Sequence, residues 1–486
     1  MHWIDLTIFI TYMVVMLGVG FFFMRRNKSK DDYYVGGRSM GSWHIGLSVV
    51  ATDVGGGFSI GLGGLGFVMG ISGSWMLFTG LIGAWLSGAF LIPKVAKLSK
   101  KVNLLTFPQI FNQFYGPEVA LLAGLISAIG YLGFTSSQIL AGAKLASASF
   151  VDLGLTQALI IMGVIAVVYT VLGGLKAVIY TDTVQWAILM IGLIFIGLPL
   201  AYDAIGGLSA IKASVGPEFL SLTNITWSEL VNWAITIIPI WFVGMTLYQR
   251  MYAAKGEKQA KKAWFIAGIL EWPIMAMMGV LLGLFARVAF DQGMFGELGF
   301  PVGSDLDSEM GLPLLLRTVL PVGLMGIMMS AYFSAIMSTA DSCLMAASGN
   351  IVSDLLSKIV NLKENQVVRI SQVITLIIGA AAILIALNLQ NVLDLMLLSY
   401  SFMVSGLLVP VIGAFFWKKR STIGAVTAML GGGLTTVFLN AFEVKLPFEL
   451  DANFFGILAS AVLFVSFSNL FPNKRTVIEE EIETKT

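Results

Sequence analysis

Apolar residues fill this chain in long blocks separated by short polar or charged stretches. An α-helix rises 1.5 Å per residue, so about 20 apolar residues cross the roughly 30 Å hydrocarbon core of a bilayer. Thirteen blocks of that kind are present, at 3–24, 44–71, 74–96, 118–148, 155–173, 180–202, 230–252, 263–290, 318–345, 367–388, 392–417, 421–441 and 453–471. The pattern predicts an all-α polytopic membrane protein of about thirteen transmembrane helices.

The second block is the exception. HIGLSVVATDVGGGFSIGLGGLGFVMGI, His44 to Ile71, carries nine glycines and one carboxylate, Asp53. Glycine weakens a helix interior by roughly 0.5–1 kcal/mol relative to alanine, so Gly55, Gly56 and Gly57 in succession predict a local break. Broken backbone at membrane depth is tolerated only against protein or a water-filled cavity, and its carbonyls are natural ligands for a cation.

Composition agrees with the pattern: of 486 residues, 57% are hydrophobic and 12% charged. The net charge of +1 is spread over short loops, which excludes a nucleic-acid surface. One cysteine, Cys343, excludes an internal disulfide, and two histidines, His2 and His44, leave no imidazole metal site and no HExxH-type enzyme centre. Trp3 to Met24 is longer than a signal-peptide core and is followed by Arg25 and Arg26, so it reads as a retained span.

Charge also orients the chain. With the N-terminus outside and the C-terminus inside, 24 of the 29 Lys and Arg fall in cytoplasmic segments, as the positive-inside rule requires. The loops 204–229 and 291–311 are then external. The expected organisation is a first helix and cytoplasmic loop (1–43), a five-helix repeat (44–202), an external loop (203–229), a second five-helix repeat (230–417), two added helices (418–471) and a cytoplasmic tail (472–486) that reads as disordered. Five spans invert topology from one repeat to the next. Inverted repeats set their sites at the midplane, on the discontinuous first helix of each half. Pro239 and Gly244 mark the corresponding break in the seventh block.

The ninth block supplies the opposing chemistry. In YFSAIMSTADSCL, Ala335, Ser338 and Thr339 stand at i, i+3 and i+4, on one helical face. Two hydroxyls beside a carbonyl make a hard oxygen set suited to an alkali cation, and carbonyls at Ala51 and Val54 could complete it. The same hydroxyls could instead bond back to their own helix. Asp53, Asp182 and Glu271 are the acids of interest, since a carboxylate in a span costs on the order of 2.5–3.5 kcal/mol to insert. Asp182 would equally serve as a cap of the sixth block. Lys144 would suit a carboxylate-bearing solute, but its place near the outer end of the fourth block suggests snorkelling to water. Arg317 reads as an interfacial residue.

Five segments resemble one family in order along the chain: DDYYVGGRSMGSW at 31–43, ATDVGGGF at 51–58, YTVLGGLKAVIYTDTVQ at 169–185, QRMYAAKGEKQAKKA at 249–263 and SAIMSTADSCL at 334–344. They are similar to the sodium/solute symporter family, which includes bacterial sodium/proline symporters. The resemblance implies a LeuT-like fold with two inverted five-helix repeats. It implies a sodium site from the backbone oxygens of Ala51, Val54 and Ala335 and the hydroxyls of Ser338 and Thr339. Asp53 and Asp182 match carboxylates linked to sodium binding and release. Candidate solute contacts near the two breaks are Phe58, Ser59, Gln138, Trp241, Met245 and Tyr400, although intramembrane aromatics more often pack or sit at interfaces.

The expected function is sodium-coupled import of a small polar solute, such as proline or another small zwitterion or organic anion, across the plasma membrane. The co-transported sodium ion replaces any organic cofactor, and the chain needs no nucleic acid and no obligate protein partner. Proton-coupled or facilitative transport on the same fold, or solute sensing, are the alternatives.

Overall fold

The apolar blocks fold as helices because backbone N–H and C=O groups in hydrocarbon must satisfy each other within one segment. The structure, a computed structural model, describes residues 2–24, 34–53, 55–150, 153–173, 175–356 and 364–473. Its principal helices are α1 (Trp3–Met24), α2 (Ser42–Asp53), α3 (Gly55–Met69), α4 (Trp75–Leu86), α5 (Ile92–Val102), α6 (Pro117–Ser149), α7 (Leu155–Gly173), α8 (Leu175–Gly192), α9 (Leu198–Ala204), α10 (Trp227–Val243), α11 (Met245–Ala253), α12 (Glu257–Ile269), α13 (Ala276–Asp291), α14 (Ser308–Val319), α15 (Leu324–Gly349), α16 (Glu364–Ala386), α17 (Val392–Phe416), α18 (Thr422–Ala441) and α19 (Ala452–Leu470). Each of the thirteen apolar blocks coincides with one of these helices or with a consecutive pair.

By length and apolarity alone, eight described helices reach membrane-crossing size, or nine counting the bent pair α10 and α11. The segment α15 is long enough, at 26 residues, but its Ser, Thr and Asp side chains lower its hydropathy. That lining of polar groups in a helix buried throughout from Met328 onward marks it as a functional element.

Two helices break where glycines stand. Gly55, at φ +47°, separates α2 from α3, and a Cβ there would lie 2.7 Å from the Thr339 hydroxyl. Both the left-handed conformation and the close approach demand glycine. Gly244 separates α10 from α11, which meet at a 43° bend. Just outside these helices the two broken segments join: the Met40 amide donates to the Ala253 carbonyl at 3.0 Å and the Lys255 amide to Met40 at 3.0 Å. A third interruption was not foreseen. Between α12 and α13 lies a π turn, Leu270–Met275, with Trp272 in an extended conformation (φ −133°, ψ 127°).

Helix contacts repeat under exchange of the two halves. The α2–α3 segment packs on the α12–α13 segment, and α10 packs on α4; α8 packs on α15, and α17 packs on α6. Each contact has its counterpart when the first five expected spans of 44–202 are swapped with those of 230–417, which is the pattern a two-fold inverted repeat produces. The α18–α19 pair lies outside this relation. α1 docks on α15, where the buried Asp5 carboxylate accepts the Gly323 and Gly326 amides at 2.7 and 2.8 Å and so caps that helix.

α3 and α13 cross backbone to backbone. A Cβ on Gly66 would lie 2.1 Å from the Val280 carbonyl, and one on Gly283 would lie 2.0 Å from the Gly63 carbonyl. Small residues permit such close approach in membranes. Gly66→Ala is therefore expected to force the helices apart and cost about 1–3 kcal/mol, the usual range for overpacking. A drop in thermal unfolding temperature of the purified variant checks this, and an unchanged temperature refutes it.

Candidate functional site

The last carbonyls of a helix have no intrahelical partner. Ala51 lies in the last turn of α2, and its carbonyl accepts the Thr339 hydroxyl of α15 at 2.9 Å. The same hydroxyl lies 3.2 Å from the Ala335 carbonyl. Three expected sodium ligands, Ala51, Ala335 and Thr339, thus meet around one point at the break. Val54 lies outside the described residues. The fifth, Ser338, points to a neighbouring group: its hydroxyl donates to one carboxylate oxygen of Asp182 on α8.

Asp182 organises the space beside this point. Its second oxygen accepts from Ser48 of α2 and lies 3.5 Å from Arg250 Nη2. The sequence offered Asp182 as a helix cap, and the structure corrects that reading: it stands mid-helix in α8 and is fully buried.

Arg250 on α11, counted from sequence among the cytoplasmic charges, is also fully buried. Its Nε donates to the Ser48 carbonyl (3.2 Å) and hydroxyl (3.0 Å), its Nη1 to the Thr246 carbonyl (3.2 Å), and its Nη2 to the hydroxyls of Thr52 and Ser342 (2.9 Å to the latter). The guanidinium fork thereby clamps α2, α8, α11 and α15 together. No periodicity signals this role; the only hint was polar Gln249 and Arg250 at the end of an apolar block.

Asp53 ends α2, next to the glycine break, and is buried. Glu271, the acid of the π turn, is fully buried as well, and neither of its carboxylate oxygens receives a hydrogen bond from a described residue. Asp341 is buried on α15 and accepts from Thr170 of α7.

The described candidate solute contacts each have partners within the protein. Only the backbone of Phe58 is described. Ser59 bonds back to the Gly55 carbonyl at 2.9 Å. Gln138 is buried in α6, with its amide 3.3 Å from the Ser137 hydroxyl. Trp241 is fully buried against Gly83 of α4 and meets Trp264 edge-on at 6.3 Å. Met245 is committed too, its sulfur accepting the Phe107 amide at 3.1 Å. Tyr400 is buried and meets Phe134 edge-on at 4.9 Å. Tyr131, a residue missed by sequence reasoning, meets the same Phe134 ring as Tyr400, and its hydroxyl accepts the Thr246 amide at 3.1 Å, just past the second break.

Lys144 does not snorkel. It is 1% exposed and lies 2.5 Å from Glu309 and 2.6 Å from Asp307. Glu309 also accepts the Val392 and Leu393 amides at 3.0 Å each, capping α17. This knot joins α6, α14 and α17, and it engages Lys144 with two carboxylates of the chain itself. Arg317 donates to the Ala148 carbonyl at 2.8 Å, a second tie between α14 and α6. Lys144→Met is expected to destabilise by about 1–3 kcal/mol, because Glu309 keeps its two amide donors. Thermal unfolding of the variant measures it, and loss of solute affinity without loss of stability would contradict the structural role.

A profile of the sodium:solute symporter family matches residues 33–432. The high-affinity proline transporter of Bacillus subtilis (strain 168) is 27% identical over 472 residues, covering 94% of this chain and 97% of that one. The sodium/pantothenate symporter of Escherichia coli (strain K12) is 25% identical, covering 90% of each, and the sodium/glucose cotransporter of Vibrio parahaemolyticus is 26% identical, covering 97% of this chain and 91% of its own. Among solved structures, a Na+-coupled sialic acid symporter in a substrate-bound outward-open state superposes with a TM-score of 0.80 at 20% identity, over 97% of this chain and 99% of that one. A nucleobase-cation-symport-1 family transporter in a closed conformation superposes at 0.58 and 13% identity, over 95% and 99%.

Proposed function

The chain belongs to the sodium:solute symporter family, and from that premise we propose how it couples a sodium ion to uptake of a small polar solute. It is an integral membrane protein with a LeuT-like helical fold, and its place in the family makes it a sodium-coupled secondary transporter. In the proposed arrangement the sodium ion binds between α2 and α15, held by the carbonyls of Ala51, Val54 and Ala335 and the hydroxyls of Ser338 and Thr339. The observation that carries this reading is the Thr339 hydroxyl, buried and bridging the Ala51 and Ala335 carbonyls across the break.

Physical chemistry supports an alkali cation at that point. The donors are neutral hard oxygens, and their number and type suit a weakly held, exchangeable ion. Sodium there ties α2 to α15 and favours one arrangement of these helices, which raises solute affinity in that state. Asp182, bonded to Ser338, offers the ion a carboxylate on its way out. At an inside-negative potential of 100 mV, moving one charge inward contributes about 2.3 kcal/mol before any concentration gradient.

The solute of this reading is a small polar molecule, such as proline or another small zwitterion or organic anion, bound near the two breaks among Asp53, Tyr131 and Tyr400. The N-terminus is outside and the C-terminus in the cytoplasm of a plasma membrane. The test is thermal unfolding of the purified protein with a panel of small metabolites, with sodium or with choline in its place. The solute is expected to stabilise only with sodium, by RT ln(1 + [L]/Kd). Equal stabilisation in choline would overturn sodium coupling at this site.

A further inference from the structure

We propose that the groove between α5, the start of α12 and the turn before α2 binds a phosphate-bearing anion, either a phospholipid headgroup or a phosphate free in solution. The site shares no residue with the proposed sodium site, so failure of one leaves the other intact.

Three elements meet at this groove. A cavity of about 290 Å3 is lined by Arg38 of the turn Gly36–Arg38, by Lys100 in the last turn of α5, and by Lys255 and Glu257 at the entry to α12. The Met40 backbone, paired with Ala253 and Lys255, fixes the turn against the α11–α12 connection. Arg38 itself is held in a left-handed conformation, at φ +54°. A residue with a Cβ adopts that conformation only at a cost, and such positions cluster at ligand clamps. Its guanidinium donates to the Ser99 hydroxyl at 3.3 Å and the Leu104 carbonyl at 2.7 Å, and is thereby aimed at the end of α5.

The charge around the cavity is one-sided. Residues 92–103 and 254–263 contain eight lysines and a single acid, Glu257. Neither Lys100 nor Lys255 forms an ion pair with a described carboxylate. The first amides of α12 have no side-chain cap, and a helix N-terminus favours an anion. Glu257 takes up part of that field, which leaves the cavity with an excess of two positive charges. A concave site of one sign concentrates ions of the other.

The directions of approach select phosphate. The cations come from three separate elements, and a phosphate group offers oxygens in several directions where a carboxylate offers two in one plane. Size sets a further limit. The cavity falls at the lower end of the roughly 300–1,000 Å3 range of small-molecule sites, room for a headgroup or a small ester. Buried Ile92 and Val95 add an apolar wall suited to the glycerol part of a lipid. An occupant ties the turn that leads into α2 to α5 and α12, and so stabilises the folded protein.

The test uses the full-length protein, purified and delipidated in a neutral detergent, and reads its thermal unfolding. Inorganic phosphate is titrated against acetate at equal ionic strength. Dihexanoyl phosphatidylglycerol is titrated against dihexanoyl phosphatidylcholine, which carries a phosphate but no net charge. The wild type is expected to be stabilised saturably by phosphatidylglycerol, and by neither acetate nor phosphatidylcholine. In Lys100→Glu/Lys255→Glu the concentration that gives half the shift is expected to rise about tenfold or more, since each basic residue near an anionic lipid contributes about 1 kcal/mol. In Lys261→Glu/Lys262→Glu, the same change of charge outside the cavity, it is expected to stay the same. Each shift is read against the variant's own unfolding temperature without additive, so a changed baseline does not mask it. Stabilisation by the lipid alone identifies a headgroup site, and stabilisation by inorganic phosphate as well identifies a site for the phosphate itself. No saturable shift with either in the wild type overturns the proposal. Equal shifts in acetate or phosphatidylcholine overturn it too, as do equal losses in the two double variants, the result expected of a diffuse surface field.

Discussion

Ser338→Ala together with Thr339→Ala is expected to raise the sodium concentration that half-saturates uptake by about 100-fold or more, since even outer groups around a metal typically carry 10–100-fold of its affinity. The pair removes both side-chain oxygens of the proposed site and leaves three backbone carbonyls. Thr339 has the larger share. Its hydroxyl touches the Ala51 and Ala335 carbonyls, whereas that of Ser338 is turned to Asp182. Thr339→Ser keeps the oxygen and is expected to retain most of the affinity. Loss of the hydroxyl also strands the Ala51 carbonyl, at a cost of about 1–3 kcal/mol. Stability and sodium affinity must therefore be read separately, by unfolding temperature in choline and by the added stabilisation in sodium. Full sodium stabilisation in the double variant would remove the site from α2 and α15.

Much of this geometry was legible in the sequence, for a physical reason. Hydrocarbon forces helices, so blocks of apolar residues map directly onto them, and glycines inside a block map onto breaks, as Gly55 and Gly244 do. The i, i+3, i+4 spacing likewise placed Ala335, Ser338 and Thr339 on one face. What the pattern could not carry is pairing between helices distant in sequence. Arg250 reads as a cytoplasmic charge because it ends an apolar block, yet its partners Ser48, Thr52 and Ser342 come from helices some 92 to 202 residues away. Lys144 reads as a snorkelling lysine because its counter-charge, Glu309, sits in a segment that reads from sequence as a loop, and whose folding back onto the helices has no periodic signature. Aromatic side chains were the least legible. Trp241 and Tyr400 carry the same composition signal whether they clamp a solute or pack on Trp264 and Phe134.

Asp182 and Arg250 yield the other large effect. Both are fully buried, so removing one partner leaves a charge without its counter-charge, and either Asp182→Asn or Arg250→Met alone is expected to cost about 3–5 kcal/mol. The two changes together remove both charges, and replacing a whole buried pair is often neutral. The double variant is therefore expected to unfold at a higher temperature than either single one. Its recovery stays incomplete, since Thr52 and Ser342 lose the guanidinium that Arg250 directs at them. Transport is expected to part from stability here. Asp182 also accepts the Ser338 hydroxyl, so the double variant regains its fold while its sodium dependence stays altered. Unfolding temperatures of the four proteins, compared as a double-mutant cycle, measure the coupling. Strictly additive losses would mean that the 3.5 Å pair contributes nothing as a pair, and that the clamp on α2 and α15 is made by the hydroxyl contacts of Arg250 alone.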